Sequence, residues 1–311
     1  MREEFYFKSS NGNTKIRAVT WKPSSETKAI LQISHGMAEH IIRYDEFAKY
    51  LSAHGYFVVG SDHLGHGKSV SSPEDYGYFN SKQGNDYLIQ DMQLLREKIS
   101  GNYPTLPYFI LGHSMGSTLL RQYILKYGEG LKGVIFSGIV ANQNSAVLGA
   151  AKCLCRLIGT FKGEHYRSKL LDGLVFGKFN QMMENPKTET DWVTRDENKL
   201  EEYTKDELCG FIFTTNGYYN LFDGLFRLNA KENDSLLPKE LPILVVSGEE
   251  DPVGGFKVGI RNVYEAYKKS GAKNITLKLY EGARHEVLNE INREEVYEDI
   301  EKWMRKVLSY S

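Results

Sequence analysis

The sequence predicts an α/β protein: a mostly parallel sheet with helices on both faces, interrupted once by a helical insertion. Two observations carry this. Short apolar runs rich in branched and aromatic residues alternate with longer stretches of helical periodicity over most of the chain. The alternation stops between residues 141 and 236, where helical patterning continues without a convincing strand. Parallel strands joined by helices need crossover connections, which lay the helices over both faces of the sheet.

Taken in order, "EFYFKSS" and "KIRAVTWKP" flank "NGN" and read as an antiparallel hairpin. Strand "AILQIS" follows, then helix "DEFAKYLSAHG", strand "YFVVGSD", helix "NDYLIQDMQLLREKIS", strand "YFILG", helix "STLLRQYILKYG" and strand "GVIFSG". Inside the insertion, "AVLGAAKCLCRLIGTF" puts Val147, Leu148, Ala151, Leu154, Cys155 and Ile158 on one face, with Lys152 and Arg156 off it. That is the pattern of a helix packed over the sheet or over a pocket, with transient contact to a membrane surface as the alternative. The rhythm resumes with strand "PILVVSG", helix "GFKVGIRNVYEAYKKSG", strand "ITLKLY" and helix "REEVYEDIEKWMRKVL". The expected division is a core of residues 1–140 and 237–311 and a helical cap of residues 141–236.

A chain of 311 residues can bury one large core and carry such an insertion. Its 39 Lys and Arg nearly cancel its 40 Asp and Glu, so no global field favours nucleic acid. "MREEFYFKSS" lacks the basic start and apolar core of a secretory signal, and no apolar stretch reaches membrane-span length, so a soluble cytoplasmic protein is expected. The cysteines Cys153, Cys155 and Cys209 are odd in number and "CLC" lacks zinc-finger spacing; buried thiols in a reducing compartment are expected.

"GHSMG" places Ser114 between Gly112 and Gly116, on a strand-to-helix turn. Flanking glycines let such a turn fold sharply enough to expose the serine at the top of a sheet, with the Met115 N–H at the helix start aimed at the same spot. A serine hydroxyl needs a base, and the base an orienting carboxylate. The loop after "PILVVSG" offers Glu249, Glu250 and Asp251, and the loop after "ITLKLY" offers His285, in the order serine, acid, histidine. A second donor for a developing oxyanion is expected in "HGMAEH", where Gly36 turns the chain and the Met37 N–H can face the substrate oxygen.

"HGMAEH" with "RYDEFAKYL", "DHLGHGKS", "GHSMGS", "SGEEDPVG" and "GARHEVLNE" together resemble the α/β-hydrolase superfamily, and within it the monoacylglycerol lipase and lysophospholipase group, over nearly the whole chain. The resemblance implies a serine ester hydrolase acting on acyl lipids or other acyl esters. Ser114 is then the nucleophile, Asp251 the orienting acid, His285 the base, and Met37 and Met115 the oxyanion donors. It implies no metal or organic cofactor, and it makes "DHLGHGKS" structural, with Asp62 fixing the loop; His63 and His66 lack the carboxylates of a metal site. The alternatives are a small-ester carboxylesterase or aminopeptidase of the same fold, and a non-catalytic ligand-binding protein, whose signature would be a missing member of the set. Two positions depart from the family pattern. Ala38 stands where many relatives read glycine in H-G-x-G-E-H, and Ser117 where another glycine often follows the serine motif.

Overall fold

The computed structural model describes residues 1–310. Eight strands form one sheet: β1 (Arg2–Lys8), β2 (Lys15–Trp21), β3 (Ala29–Ser34), β4 (Tyr56–Ser61), β5 (Tyr108–His113), β6 (Gly133–Ser137), β7 (Ile243–Gly248) and β8 (Ile275–Tyr280). Their spatial order is β1-β2-β4-β3-β5-β6-β7-β8. The β1–β2 and β2–β4 pairs are antiparallel and the remaining five parallel, so the hairpin closes one edge of a parallel sheet.

Helices α1 (Asp45–Ala53), α2 (Gly84–Asn102) and α3 (Met115–Tyr127) connect the early strands. Five more lie between β6 and β7: α4 (Ser145–Lys162), α5 (Lys169–Phe176), α6 (Glu197–Lys205), α7 (Thr215–Leu228) and α8 (Asn233–Leu236). Then come α9 (Phe256–Lys269) and α10 (Arg293–Leu308). Alternation along each buried strand divides the core in two. On β5, Ile110 joins Met92, Leu119 and Val263 from α2, α3 and α9, while Phe109 and Leu111 join Phe47, Ile300 and Met304 from α1 and α10. This is the doubly covered sheet that the strand–helix rhythm predicts, and it sets the carboxyl ends of the parallel strands as the place for a site.

The insertion is helical, its β content limited to one isolated bridge, Arg167 to Thr214. Side-chain oxygens cap its helices: Asn144 accepts from Ala146 N, Ser168 from Leu171 N, Asp196 from Asn198 N and Thr214 from Gly217 N. It is pinned to the core by Arg167, whose Nη1 donates to Tyr76 O at 2.7 Å, and by Asn216, which bonds Phe79 N at 3.0 Å and Asn80 O at 2.7 Å. On α4, Leu148 and Cys155 are buried, but Val147 is 63% exposed at the rim. The expectation of buried thiols holds for Cys155 and fails for Cys153, which is exposed, while Cys209 is half-buried. Two residues along a helix turn the side chain by ~200°, so an inward Cys155 forces Cys153 outward. Among the described residues, no helix is long and apolar enough to cross a membrane.

Candidate active site

Ser114 sits between the end of β5 and the start of α3 with φ +52° and ψ −116°, a strained conformation for any residue with a Cβ. Backbone bonds hold it there: Ser114 N donates to Ser137 O at 3.0 Å, and Ser114 O accepts from Ser117 N and Thr118 N at 2.9 and 3.1 Å. The glycines are steric requirements. A Cβ on Gly112 would lie 2.4 Å from Gly116 O, and one on Gly116 would lie 2.0 Å from Ser34 O. Ser117, at the departing position, spends its hydroxyl on Ser114 O at 2.7 Å and so adds a bond to the turn.

His285 follows β8 and Asp251 follows β7. His285 Nδ1 lies 3.0 Å from each Asp251 carboxylate oxygen, and Asp251, wholly buried, also accepts from Val253 N at 2.9 Å and Ser247 Oγ at 3.2 Å. Of the other acids in this loop, Glu249 pairs with Lys257 at 2.6 Å and Glu250 is exposed. Burial pushes the His285 imidazole down, but the charge and hydrogen bond of Asp251 outweigh it and hold the group above its ordinary value. Beside it, burial pushes His113 down to about 3, so this ring, 4.8 Å from His285, is neutral.

The Met37 loop, between β3 and α1, is built from polar groups that are nearly all buried. Ala38 takes φ +50°, its N–H donating to His66 Nε2 at 3.2 Å. Gly36 N donates to Glu39 Oε1 at 2.5 Å, and the Glu39 carboxylate also takes Tyr44 OH at 2.8 Å and Arg43 Nη1 at 2.7 Å. Arg43 then reaches Glu286, the residue after His285, with two bonds of 2.6 Å. One guanidinium thus joins the Met37 loop to the His285 loop. Burial raises the Glu39 carboxyl, whereas at Glu286 burial is outweighed by the charge and bonds of Arg43, which hold it at about 2. Asp62 accepts from Ile41 N and Lys68 N, each at 2.9 Å, and fixes the neighbouring turn. His63 and His66 spend ring nitrogens locally: His63 Nε2 on Ser34 Oγ at 3.0 Å, His66 Nδ1 on Leu64 O at 3.2 Å and Nε2 on Ala38 N.

Two cavities meet at Ser114. One, of 520 Å³, is lined by Met115, Leu148, Leu154, Val175 and Phe222 among others and carries no charged side chain. The other, of 230 Å³, also holds His285 and is bordered by Glu39, Asp172, Glu189 and Glu286. Met37 and Phe176 line both. A larger groove of 800 Å³ lies at the amino ends of β6 to β8 and touches none of these groups. The insertion closes the site through Trp192. Its ring lies 5.4 Å from His285 and packs on Phe176 and Phe179, and Val193 O accepts from Glu286 N at 2.8 Å.

All five residues expected from the sequence, Met37, Ser114, Met115, Asp251 and His285, therefore gather at the carboxyl end of the sheet. Arg43, Glu286 and Trp192 are not found by sequence reasoning. Glu39 and Arg43 stand at i, i+4 and Glu286 directly follows His285, but nothing in the sequence joins the two loops.

Residues 25–292 match the family described as Serine aminopeptidase, S33. The chain belongs to this family. The S33 chain is 26% identical over 299 residues to a monoacylglycerol lipase of Mycolicibacterium smegmatis, covering 94% of each protein, and 28% identical over 292 residues to the monoglyceride lipase of Mus musculus, covering 91% of this chain and 84% of that one. Its structure superposes on a thermostable carboxyl esterase from Bacillus coagulans, solved with glycerol, at a TM-score of 0.91 and 27% identity over 99% of both chains. The S33 chain is an α/β-hydrolase of the esterase and lipase group.

Proposed function

We propose that the protein is a serine carboxylic ester hydrolase whose preferred substrates join a medium or long acyl chain to a small uncharged alcohol, as monoacylglycerols do. The observation that carries this reading is the meeting of an uncharged apolar cavity and a smaller polar one at Ser114. The acyl chain occupies the first and the alcohol the second, which puts the ester carbonyl over the serine. Residues 141–236 act as the cap that roofs both cavities, on a core of residues 1–140 and 237–311.

In this mechanism His285 takes the Ser114 proton as the hydroxyl attacks the carbonyl carbon. Asp251 keeps the Nδ1 proton in place and stabilises the imidazolium. The negative charge forming on the carbonyl oxygen meets the N–H groups of Met37 and Met115, the latter at the positive end of α3. Collapse expels the alcohol, protonated by His285, and leaves an acyl-Ser114 ester. A water deprotonated by His285 then releases the fatty acid.

The charge pattern narrows the substrate. Asp172 and Glu189 border the alcohol cavity without an ion pair among the described residues, and Glu39 and Glu286 share the single Arg43. The cavity is therefore net negative, a phosphate on the alcohol is repelled and phosphate-bearing lysolipids are poorer substrates. The uncharged acyl cavity offers no partner for the ammonium of an aminoacyl substrate.

The test is turnover across p-nitrophenyl esters of increasing length, with a monoacylglycerol, a lysophosphatidate and an aminoacyl amide alongside. Each CH₂ buried is worth about 0.8 kcal/mol, so kcat/KM is expected to rise by up to roughly fourfold per carbon from acetyl to about octanoyl. A peak at acetate, or faster release of amine than of alcohol, would replace this reading with a small-ester or amide substrate.

A further inference from the structure

His40, Asp206 and Cys209 take no part in that reaction. His40 ends the Met37 loop on the core, and Asp206 and Cys209 sit three residues apart on the turn after α6, in the insertion. His40 is 6% exposed; its Nε2 lies 2.7 Å from Asp206 Oδ2, and its Nδ1 is buried with no hydrogen-bond partner among the described residues. One donor atom from each of the three, a ring nitrogen, a carboxylate oxygen and the thiol sulfur, lies within 4.8 Å of the other two.

The turn is already shaped to present these groups. Asp206 Oδ1 accepts from Leu208 N, Asp206 O from Cys209 N and Ala38 O from Gly210 N, each at 2.9 Å. A cleft of 390 Å³ lined by His40, Asp206 and Glu202 adjoins the pair. The lysines on its wall are already matched by carboxylates, Lys199 by Glu46 and Glu202 and Lys205 by Glu201.

We propose that His40, Asp206 and Cys209 bind one divalent transition-metal ion of the zinc class, which clips the cap to the loop that carries Met37. Imidazole, carboxylate and thiolate together suit zinc, whereas calcium and magnesium prefer all-oxygen sets. Zinc–ligand bonds of about 2.0–2.3 Å put tetrahedral ligand atoms roughly 3.3–3.8 Å apart. Reaching that range requires the 2.7 Å His40–Asp206 spacing to open and the wider spacings, of up to 4.8 Å, to close. The ion takes the place of the proton between His40 Nε2 and Asp206, the neutral imidazole then carrying its one proton on Nδ1, and the thiol proton of Cys209 leaves to solvent. Water from the adjoining cleft completes the tetrahedron. His40 and Asp206 stand 166 positions apart, so no sequence spacing announces the set.

The test uses the untagged full chain, stripped with a chelator and titrated with Zn²⁺ by calorimetry and with Co²⁺ by absorption. One ion per chain, a higher melting temperature on Zn²⁺ addition and a thiolate-to-cobalt charge-transfer band are expected. Cys209→Ser and Cys209→Ala should remove the band, and these and Asp206→Asn should weaken Zn²⁺ binding at least about tenfold. Cys153→Ser should keep both signals. Metal-free melting curves show whether each variant folds, and the wild-type Co²⁺ spectrum decides the thiolate ligand without any variant. Absence of Zn²⁺ binding by the wild-type chain, retention of the band in the Cys209 variants, or its loss in Cys153→Ser overturns the proposal.

Discussion

Ser114 and Ala38 are both held at positive φ, and the two strains have different uses. At Ser114 the strain exposes the proposed nucleophile, and the surrounding backbone bonds sustain it. At Ala38 it bends the Met37 loop at a cost of about 1 kcal/mol or more, which glycine would not incur. Ala38→Gly should therefore raise the melting temperature by about 1–2 °C, a gain reduced by the freer unfolded chain, and Ala38→Val should lower it. Asp251→Asn should lower kcat by roughly 10⁴ because the imidazole adopts the wrong tautomer, whereas Glu250→Gln, at an exposed site, should change little. The pH profile carries the same assignment. Asp251 holds His285 above the ordinary 6.5, and the base works only when neutral, so kcat/KM should fall as pH drops through a value above 6.5. In Asp251→Asn the largest contributions opposing burial are removed, leaving only the charges of Glu286 and Glu39 against it, and the limb should move to lower pH. A wild-type limb below 6.5 would show that Asp251 does not charge-stabilise the imidazolium.

At the scale of elements, periodicity made the fold legible. "AILQIS" is β3 residue for residue, "REEVYEDIEKWMRKVL" is α10, and the stop in the rhythm is the insertion. The start of α3 lies two residues earlier than the pattern suggests, because the helix begins immediately after Ser114 and its first turn is set by the strained serine and not by apolar spacing. Contacts between distant segments were not legible. Arg43 and Glu286 are 243 positions apart, and neither carries a periodic signal that points to the other. Nor does "DW" in the insertion reveal that Trp192 covers His285. The outer face of the cap is a related case. Leu157 and Phe161 on α4 and Leu170 on α5 are 56%, 78% and 59% exposed, on helices whose inner faces line the uncharged cavity at Ser114. Exposed apolar side chains on the helices that line the proposed acyl cavity suit brief contact with a membrane surface. Replacing Leu157, Phe161 and Leu170 by serine should slow release of fatty acid from monoacylglycerol held in vesicles. It should leave turnover of a dissolved short-chain ester near wild type. Equal loss on both substrates would mean the residues serve cap packing and not lipid contact.

For the molecule as a whole, the near-neutral net charge of −1 leaves pH dependence to particular buried groups. Four imidazoles, those of His35, His63, His66 and His113, are buried at the carboxyl end of the sheet, and burial pushes all of them down, His66 and His113 to about 3. In the unfolded chain they titrate near 6.5. Below that pH the unfolded state binds protons that the folded state refuses, so acid favours unfolding, by up to about 1.4 kcal/mol per pH unit for each group. His285 works in the opposite sense. Its folded value is raised, so its contribution is present below 6.5 and is lost as pH rises through that folded value. Four groups outweigh one, and ordinary carboxylates have yet to titrate above about pH 5. The melting temperature should thus fall steeply from pH 6.5 to 5, and above 6.5 show only the smaller, opposite fall with rising pH that one raised group gives. His66→Gln, which retains an acceptor for Ala38 N, should make that fall shallower. A level melting temperature down to pH 5 would mean that these rings accept protons in the folded state, against their burial and their fixed hydrogen bonds.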